Sequence, residues 1–285
     1  MNGFPGAGFD LLDPDREILS VNTFKALREL LYNHSGIALA PHKITMVQSR
    51  LAKRLRIVGL RTYEEYLHRL ETPDDPEWSE FINALTTNLT SFFREGHHFT
   101  RMVELLKGSD PPRRLRIWSA GCSTGEEPYT LAMTLLKAFG TGSSIQILAT
   151  DLDTAVLETA ARGVYPASRI ESVEEAWRRF AFLRGTGDRK GLVRLRPEVR
   201  HLVTFRQLNL LDSHWDLDRE PFQAVFCRNV MIYFDKPTQR RLLKRFHDAL
   251  APDGLLFVGH SEALLDAALG FESLGQTIYR RKAAP

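Results

Sequence analysis

The sequence predicts a small all-helical N-terminal domain followed by an α/β domain. The parallel sheet of the second domain should be covered on both faces and interrupted by a small antiparallel β-subdomain. Three observations predict this. From Thr23 to about Leu85 apolar residues recur only at helical spacing. After Pro111–Pro112 short apolar strands alternate with amphipathic helices, the pattern of a buried parallel sheet. Residues 164–202 break that rhythm with turn glycines and a two-residue alternation.

Residues 1–20, rich in Gly, Pro and Asp, read as a flexible arm, and residues 21–87 as the helical domain. Within it Phe24, Leu27 and Leu31 form one stripe and Val47, Leu51, Leu55 and Val58 another. Gly36, Gly59 and Pro73–Pro76 punctuate it. Residues 88–111 read as a linker, and residues 112–285 as the α/β domain. LRIWSA (115–120), IQILATD (145–151), VTFRQLNLL (203–211), FQAVFCRN (222–229) and LLFVGHSE (255–262) are its expected strands. PYTLAMTLLKAF (128–139), TAVLETAARG (154–163) and PTQRRLLKRFHDAL (237–250) are its expected helices, and FESLGQTIYRRK closes as a hairpin. In the insertion, Leu192, Arg194 and Arg196 alternate with Val193 and Leu195.

The bulk composition excludes several classes. The 285 residues are 43% hydrophobic and 26% charged, an ordinary globular balance. No apolar run approaches the ~18 residues that span a bilayer, and the N-terminus lacks the pattern of a signal peptide. Two cysteines in apolar contexts are no disulfide framework, so a cytoplasmic location is expected. A formal net charge of +3 is too small for whole-protein attraction to a polyanion, so an electrostatic partner must be met by a local patch.

The loop AGCSTGEE (120–127) lies between a strand and a helix, and Gly121 and Gly125 permit a tight turn close to a ligand. Asp151 ends the next strand about 26 residues after Gly125, where an acid can bind ribose hydroxyls or cap the following helix. Glu126 and Glu127 would repel a pyrophosphate at the helix N-terminus. They suit S-adenosylmethionine, with its adenosine, sulfonium and amino-acid tail. Asn209 either offers its carboxamide to adenine or serves as a turn residue after its strand. Arg228 and Asn229 end the core strand AVFC. An unpaired buried guanidinium is costly, so Arg228 either faces the crevice beyond the strand ends or braces the strand through an acid.

TTNLTSFFREGHHF (86–99), WSAGCSTGEEPYTLA (118–132), ATDLDTAVLETA (149–160), VTFRQLNLL, FCRNVMIYFDKPTQ and FVGHSE together resemble the CheR family, the chemotaxis-receptor protein-glutamate O-methyltransferases. The resemblance runs from about residue 20 to the end. It implies a helical domain joined to a class I (Rossmann-like) S-adenosylmethionine-dependent methyltransferase domain with a three-stranded β-subdomain inserted. It also implies site roles. Asn88, Thr90 and Arg94 should line the cofactor pocket, with Arg94 near the methionine carboxylate. Glu127 and Asp151 should hold the amino-acid tail and ribose, leaving open which of Glu126 and Glu127 points inward. Asn209 and Leu210 should frame adenine, and Arg228 and Asn229 should close the site with Tyr233 beside the reacting methyl. The implied products are a glutamate methyl ester and S-adenosylhomocysteine. Tyr233, Arg228 and Arg94 are then the expected catalytic residues, acting by position, because a glutamate of pKa near 4.3 needs no base. His97, His98 and His260 are expected to pack rather than carry protons, and no spacing suggests a metal.

HKITMVQSRLAKRLRIVGLR (42–61) carries Lys43, Arg50, Lys53, Arg54, Arg56 and Arg61 and no acid. It reads as a solvated helix face or as a docking surface for an acidic helical substrate; the resemblance favours the cytoplasmic helical region of chemotaxis receptors. FLRGTGDRKGLVRLR, with Gly185 and Gly187 in its loop, resembles members that tether a receptor C-terminal peptide by strand addition. Two rivals remain: a regulator that binds the cofactor without catalysis, and a nucleic-acid methyltransferase. The second lacks an Asn/Asp-Pro-Pro-aromatic turn, and Cys227 follows Phe226 rather than a proline, so no nucleic acid is expected, and without a long apolar run no membrane insertion is expected either.

Overall fold

The computed structural model describes residues 17–72, 75–108, 114–140, 144–217, 220–263 and 270–282. Most of the expected N-terminal arm, and the prolines at 73, 111 and 112, lie outside them. The chain forms two compact units, residues 1–31 with 39–85, and residues 32–38 with 86–285.

The first unit is helical among the described residues. Helix α1 (Val21–Ser35) begins in it, followed by α2 (Ile44–Val58), α3 (Tyr63–Leu70) and α4 (Glu77–Leu85). Val47, Leu51 and Leu55 of α2 are buried, as the stripe requires, while Val58 is half-buried. Thr62 and Glu65 form a reciprocal capping box that starts α3. The carboxylate of Glu77, itself buried, accepts a hydrogen bond from the Tyr66 hydroxyl at 2.8 Å and two from Arg54 at 2.8 Å. Arg54 also reaches Glu80, and Arg50 donates to the Ala84 carbonyl. These two arginines, expected at a docking surface, therefore work inside the unit. A buried carboxylate needs its cation, and Arg54 supplies a bidentate fork. Lys43, Lys53 and Arg56 remain exposed.

The second unit holds a seven-stranded sheet. Its strands are β1 (Arg114–Ala120), β2 (Ser144–Asp151), β6 (Val203–Gln207), β7 (Phe222–Cys227), β8 (Leu250–Val258), β9 (Phe271–Ser273) and β10 (Ile278–Arg281). Their order is β6-β2-β1-β7-β8-β10-β9, parallel from β6 to β8 and antiparallel through the closing hairpin. Alternate residues serve opposite faces. Ile117, Ala224, Phe226, Leu255 and Phe257 pack on helices α5 (His97–Lys107) and α6 (Glu126–Phe139). Trp118, Val225, Cys227, Leu256 and Val258 pack with Leu242, Leu243 and Phe246 of α10 (Lys236–Ala249). Cutting Phe226 to Ala in such a core costs about 3–5 kcal/mol. After α7 (Thr154–Arg162) come α8 (Glu175–Ala181) and α9 (Pro197–Arg200), with β3 (Val164–Pro166), β4 (Phe182–Arg184) and β5 (Leu192–Leu195) forming an antiparallel sheet of order β3-β5-β4. Val193 and Leu195 point inward and Leu192 and Arg194 outward. Gly185 and Gly187 lie in the β4–β5 loop, where a β-carbon on Gly185 would collide with the Arg189 carbonyl.

Three expected strand ends shift, and the expected linker 88–111 holds helix α5. FQAVFCRN ends its strand at Cys227. VTFRQLNLL is a strand only to Gln207, because Leu208 donates to the Asp151 carbonyl and Asn209 then turns the chain. LLFVGHSE ends its strand at Val258, and residues 260–262 form a single 3-10 turn.

Candidate active site

The carboxyl ends of β1, β2 and β7 lie side by side in the sheet, the place where open α/β sheets bind ligands. After β1 the chain turns at Gly121, whose φ is +89°. A β-carbon there would collide with Val230 of the turn after β7, so glycine lets these two strand exits approach. The Gly121 and Cys122 amides both donate to the Thr150 carbonyl, which ties the loop to β2.

The two loop glutamates diverge. Glu126 is fully buried and points to Arg169, 2.6 Å away, while Thr124 donates to its other oxygen. Glu127 accepts from the Ser119 hydroxyl at 2.7 Å and from Arg228 Nη1 at 3.2 Å. Burial raises the Glu127 carboxyl above the ordinary range, and Arg228 and Ser119 offset part of that. Glu127, not Glu126, is therefore the carboxylate held beside Arg228.

Arg228 is buried at the end of β7. Its Nη2 donates to the Arg94 carbonyl at 2.5 Å and lies 3.3 Å from Glu95 Oε2, and its guanidinium stacks over Phe99. Of the two alternatives for Arg228 the contacts show the bracing one: Glu95 and Glu127 flank the guanidinium and the Arg94 carbonyl accepts from it. For Glu95, burial pushes the carboxyl up, but Arg228, His260 and His98 outweigh it and the net shift is downward. The segment carrying Arg94 is a tight turn with positive φ at Phe93 and Glu95, and Arg94 Nη1 donates to the Leu89 carbonyl at 2.8 Å.

Asp151 accepts from the Ser123 amide at 2.8 Å and from the Asp153 amide at 3.0 Å. Burial raises its carboxyl to about 6 against these hydrogen bonds. The helix-cap alternative belongs to Asp153, which accepts from Ala155 and Val156 at the start of α7. Asp153 also accepts from Thr86 and from the Asn88 carboxamide at 2.7 Å. Asn88 is thus anchored beside the β2 exit, and Thr90 is half-buried two residues on.

Asn209 is the turn residue of the two alternatives in this structure. Its oxygen accepts from the Leu211 amide at 3.0 Å and its NH2 donates to the His34 carbonyl at 2.7 Å. Leu210 packs in the α10-side core while its carbonyl accepts from Trp215 and Arg245. Asn229 takes a left-handed φ of +60°, and Tyr233 follows in a single 3-10 turn, half-exposed. The sequence reading passed over Glu95 and Glu262, although both stand in blocks that carry the resemblance. Glu262, from FVGHSE, is buried and accepts the Asn229 amide at 2.7 Å.

His98 is fully buried and its Nε2 meets the Gln276 carbonyl at 2.8 Å, which fixes the proton on that nitrogen. Burial lowers its pKa to about 4, so it is neutral at physiological pH. Among the described residues no cluster suits a metal ion, and no helix is long and apolar enough to cross a membrane.

Residues 88–280 match the model for "CheR methyltransferase, SAM binding domain", and residues 22–86 match "CheR methyltransferase, all-alpha domain". Chemotaxis protein methyltransferase 2 of Pseudomonas aeruginosa is 49% identical over 90% of this chain and 91% of its own length. The chemotaxis protein methyltransferase of Klebsiella aerogenes is 48% identical over 92% of this chain and 90% of its own. That of Escherichia coli is 46% identical over 93% and 92%. Glu127 and Asp151 at the strand ends, with the glycine turn before them, fit the hydroxyls and positive charges of S-adenosylmethionine. The chain belongs to the CheR methyltransferase family, and residues 88–280 are that family's S-adenosylmethionine-binding domain.

Proposed function

We propose that this protein transfers a methyl group from S-adenosylmethionine to glutamate side chains of chemotaxis receptors. The observation that carries the reading is the convergence of Glu127, Asp151 and Arg228 at three adjacent strand ends in a member of this family. Glu127 would hold the amino group of the cofactor and Asp151 the ribose. Arg94 would take the methionine carboxylate by leaving the Leu89 carbonyl, its partner here. Asn88, Thr90 and Asn229 would complete the wall. Asn209 and Leu210 would border adenine through the turn that they shape, since the Asn209 carboxamide already serves His34 and Leu211.

Bound S-adenosylmethionine supplies an electrophilic methyl group on a sulfonium. The glutamate oxygen forms a new C–O bond as the C–S bond breaks, and the products are a methyl ester and S-adenosylhomocysteine. A free glutamate has a pKa near 4.3, so the nucleophile is ionised at neutral pH without a base. Tyr233 instead aligns and desolvates the carboxylate while Arg228 acts behind it by holding Glu127, and orientation of this kind lowers a barrier by several kcal/mol.

Lys43, Lys53 and Arg56 would meet the acidic helical region of the receptor, and the exposed edge of the β3-β5-β4 sheet, near Gly185 and Gly187, would take a receptor C-terminal peptide by strand addition. The test is incubation with methyl-labelled cofactor and receptor-enriched membranes. Label on the receptor that mild base releases as methanol supports a glutamate ester; base-stable label overturns it.

A further inference from the structure

The turn after β7 carries Asn229 and Tyr233, and it is fastened from outside by two side chains. The Glu262 carboxylate accepts three backbone N–H groups. Oε2 takes Asn229 at 2.7 Å and Gly259 at 2.6 Å, and Oε1 takes Ile232 at 3.1 Å. Gln239 of α10 donates its NH2 to the Met231 carbonyl at 2.8 Å and the Phe234 carbonyl at 3.0 Å. Asn229 stands at φ +60°, a left-handed conformation that asparagine tolerates better than other side chains and that sets the direction of this turn. Gly259 is constrained too: a β-carbon would lie 2.6 Å from the Asn229 carboxamide nitrogen and 2.8 Å from Glu262 Oε2. Ile232 nevertheless leaves its side chain half in solvent, beside Tyr233. The backbone is held tightly, Met231 is buried, and Ile232 and Tyr233 keep part of their surface in solvent, as a pre-shaped reacting surface requires.

We propose that Glu262 is a positioning residue for methyl transfer: its buried carboxylate fixes the 229–233 turn so that Tyr233 stands at the reacting centre. Gln239 is the second fastening of the same turn. The inference rests on reading Tyr233 as a site residue.

Glu262→Gln separates this role from general stability. A carboxamide can keep its oxygen on Asn229 and Gly259 but then turns NH2 toward the Ile232 amide, so the Tyr233 end is released first. Steady-state methylation should show kcat lower by about 10- to 100-fold. S-adenosylhomocysteine affinity, read by calorimetry, should change less than about threefold, since the loss is confined to the reaction step. In a Tyr233→Phe background the same change should cost less than about threefold, because interacting sites are not additive. A kcat within about twofold of the parent, or an equal loss in both backgrounds, would overturn the role of Glu262. Full activity of Tyr233→Phe by itself would instead remove the underlying site reading. Should Glu262→Gln not fold, Gln239→Met removes the other fastening at a half-buried helix position. It should lower kcat by about fivefold or more while the melting temperature falls by only a few degrees, and an unchanged kcat would again overturn the proposal.

Discussion

Arg228 Nη1 lies 3.2 Å from Glu127 Oε2, joining the exit of β7 to the start of α6 across the end of β1. Burial raises the Glu127 carboxyl, and Arg228 is the buried cation that opposes this. Removing Arg228 leaves Glu127 and Glu95 without their shared partner. Arg228→Ala should destabilise the second unit by about 3 kcal/mol, read by urea unfolding, and abolish cofactor binding. Unchanged stability would show that water compensates both acids.

Tyr233→Phe isolates chemistry from folding. Removing the hydroxyl of this half-exposed residue should leave the melting temperature within about a degree, as for substitutions away from buried features. Methylation at saturating cofactor should fall by at least about 100-fold, the scale of lost alignment. Full turnover in the variant would end the role assigned to Tyr233.

Asp151 gives a pH dependence with a definite sign. Its carboxyl is raised to about 6 by burial, above its ordinary value of 3.8. Stability from this group is therefore fully present below about pH 4 and lost as pH rises through about 6, where the buried charge forms. Ligand binding runs the other way, because ribose hydroxyls donate to the ionised carboxylate. S-adenosylhomocysteine should bind about tenfold more weakly at pH 5 than at pH 7.5, and Asp151→Asn should flatten that difference. Calorimetry at the two pH values decides, and an equal pH effect in the variant would assign it elsewhere.

The basic residues of helix α2 divide by burial. Arg54→Ala should destabilise the first unit by about 3 kcal/mol through the buried Glu77 carboxylate. Lys53→Glu with Arg56→Glu should leave stability within about 0.5 kcal/mol, since both side chains are exposed. That pair should lower kcat/KM for receptor methylation by about tenfold at low salt, and the deficit should shrink as salt rises. A deficit independent of salt would remove the electrostatic explanation.

Strand and helix order was legible because burial imposes periods of two and 3.6 residues, and these survive in LRIWSA, FQAVFC and the α10 stripe. Side-chain direction at loop ends was not. Glu126 and Glu127 are adjacent acids, and only the approach of Arg169 on one side and Arg228 on the other separates their roles. Arg54 and Lys53 look alike in sequence, and a buried glutamate 23 residues away distinguishes them. Asn209 carried both readings because a carboxamide suits a turn and a base edge equally, and the choice rests on His34, far off in the chain. Glu262 was missed for the same reason: its three partners come from two strand exits that meet only after folding.

The most direct measurement compares S-adenosylhomocysteine binding by Glu127→Gln and Glu126→Gln in calorimetric titrations beside the parent protein. Glu127→Gln should weaken binding by at least about tenfold, as the loss of a charge-assisted contact requires, while Glu126→Gln stays within about threefold. Equal losses, or a larger loss for Glu126→Gln, would contradict a site organised around Glu127 and Arg228.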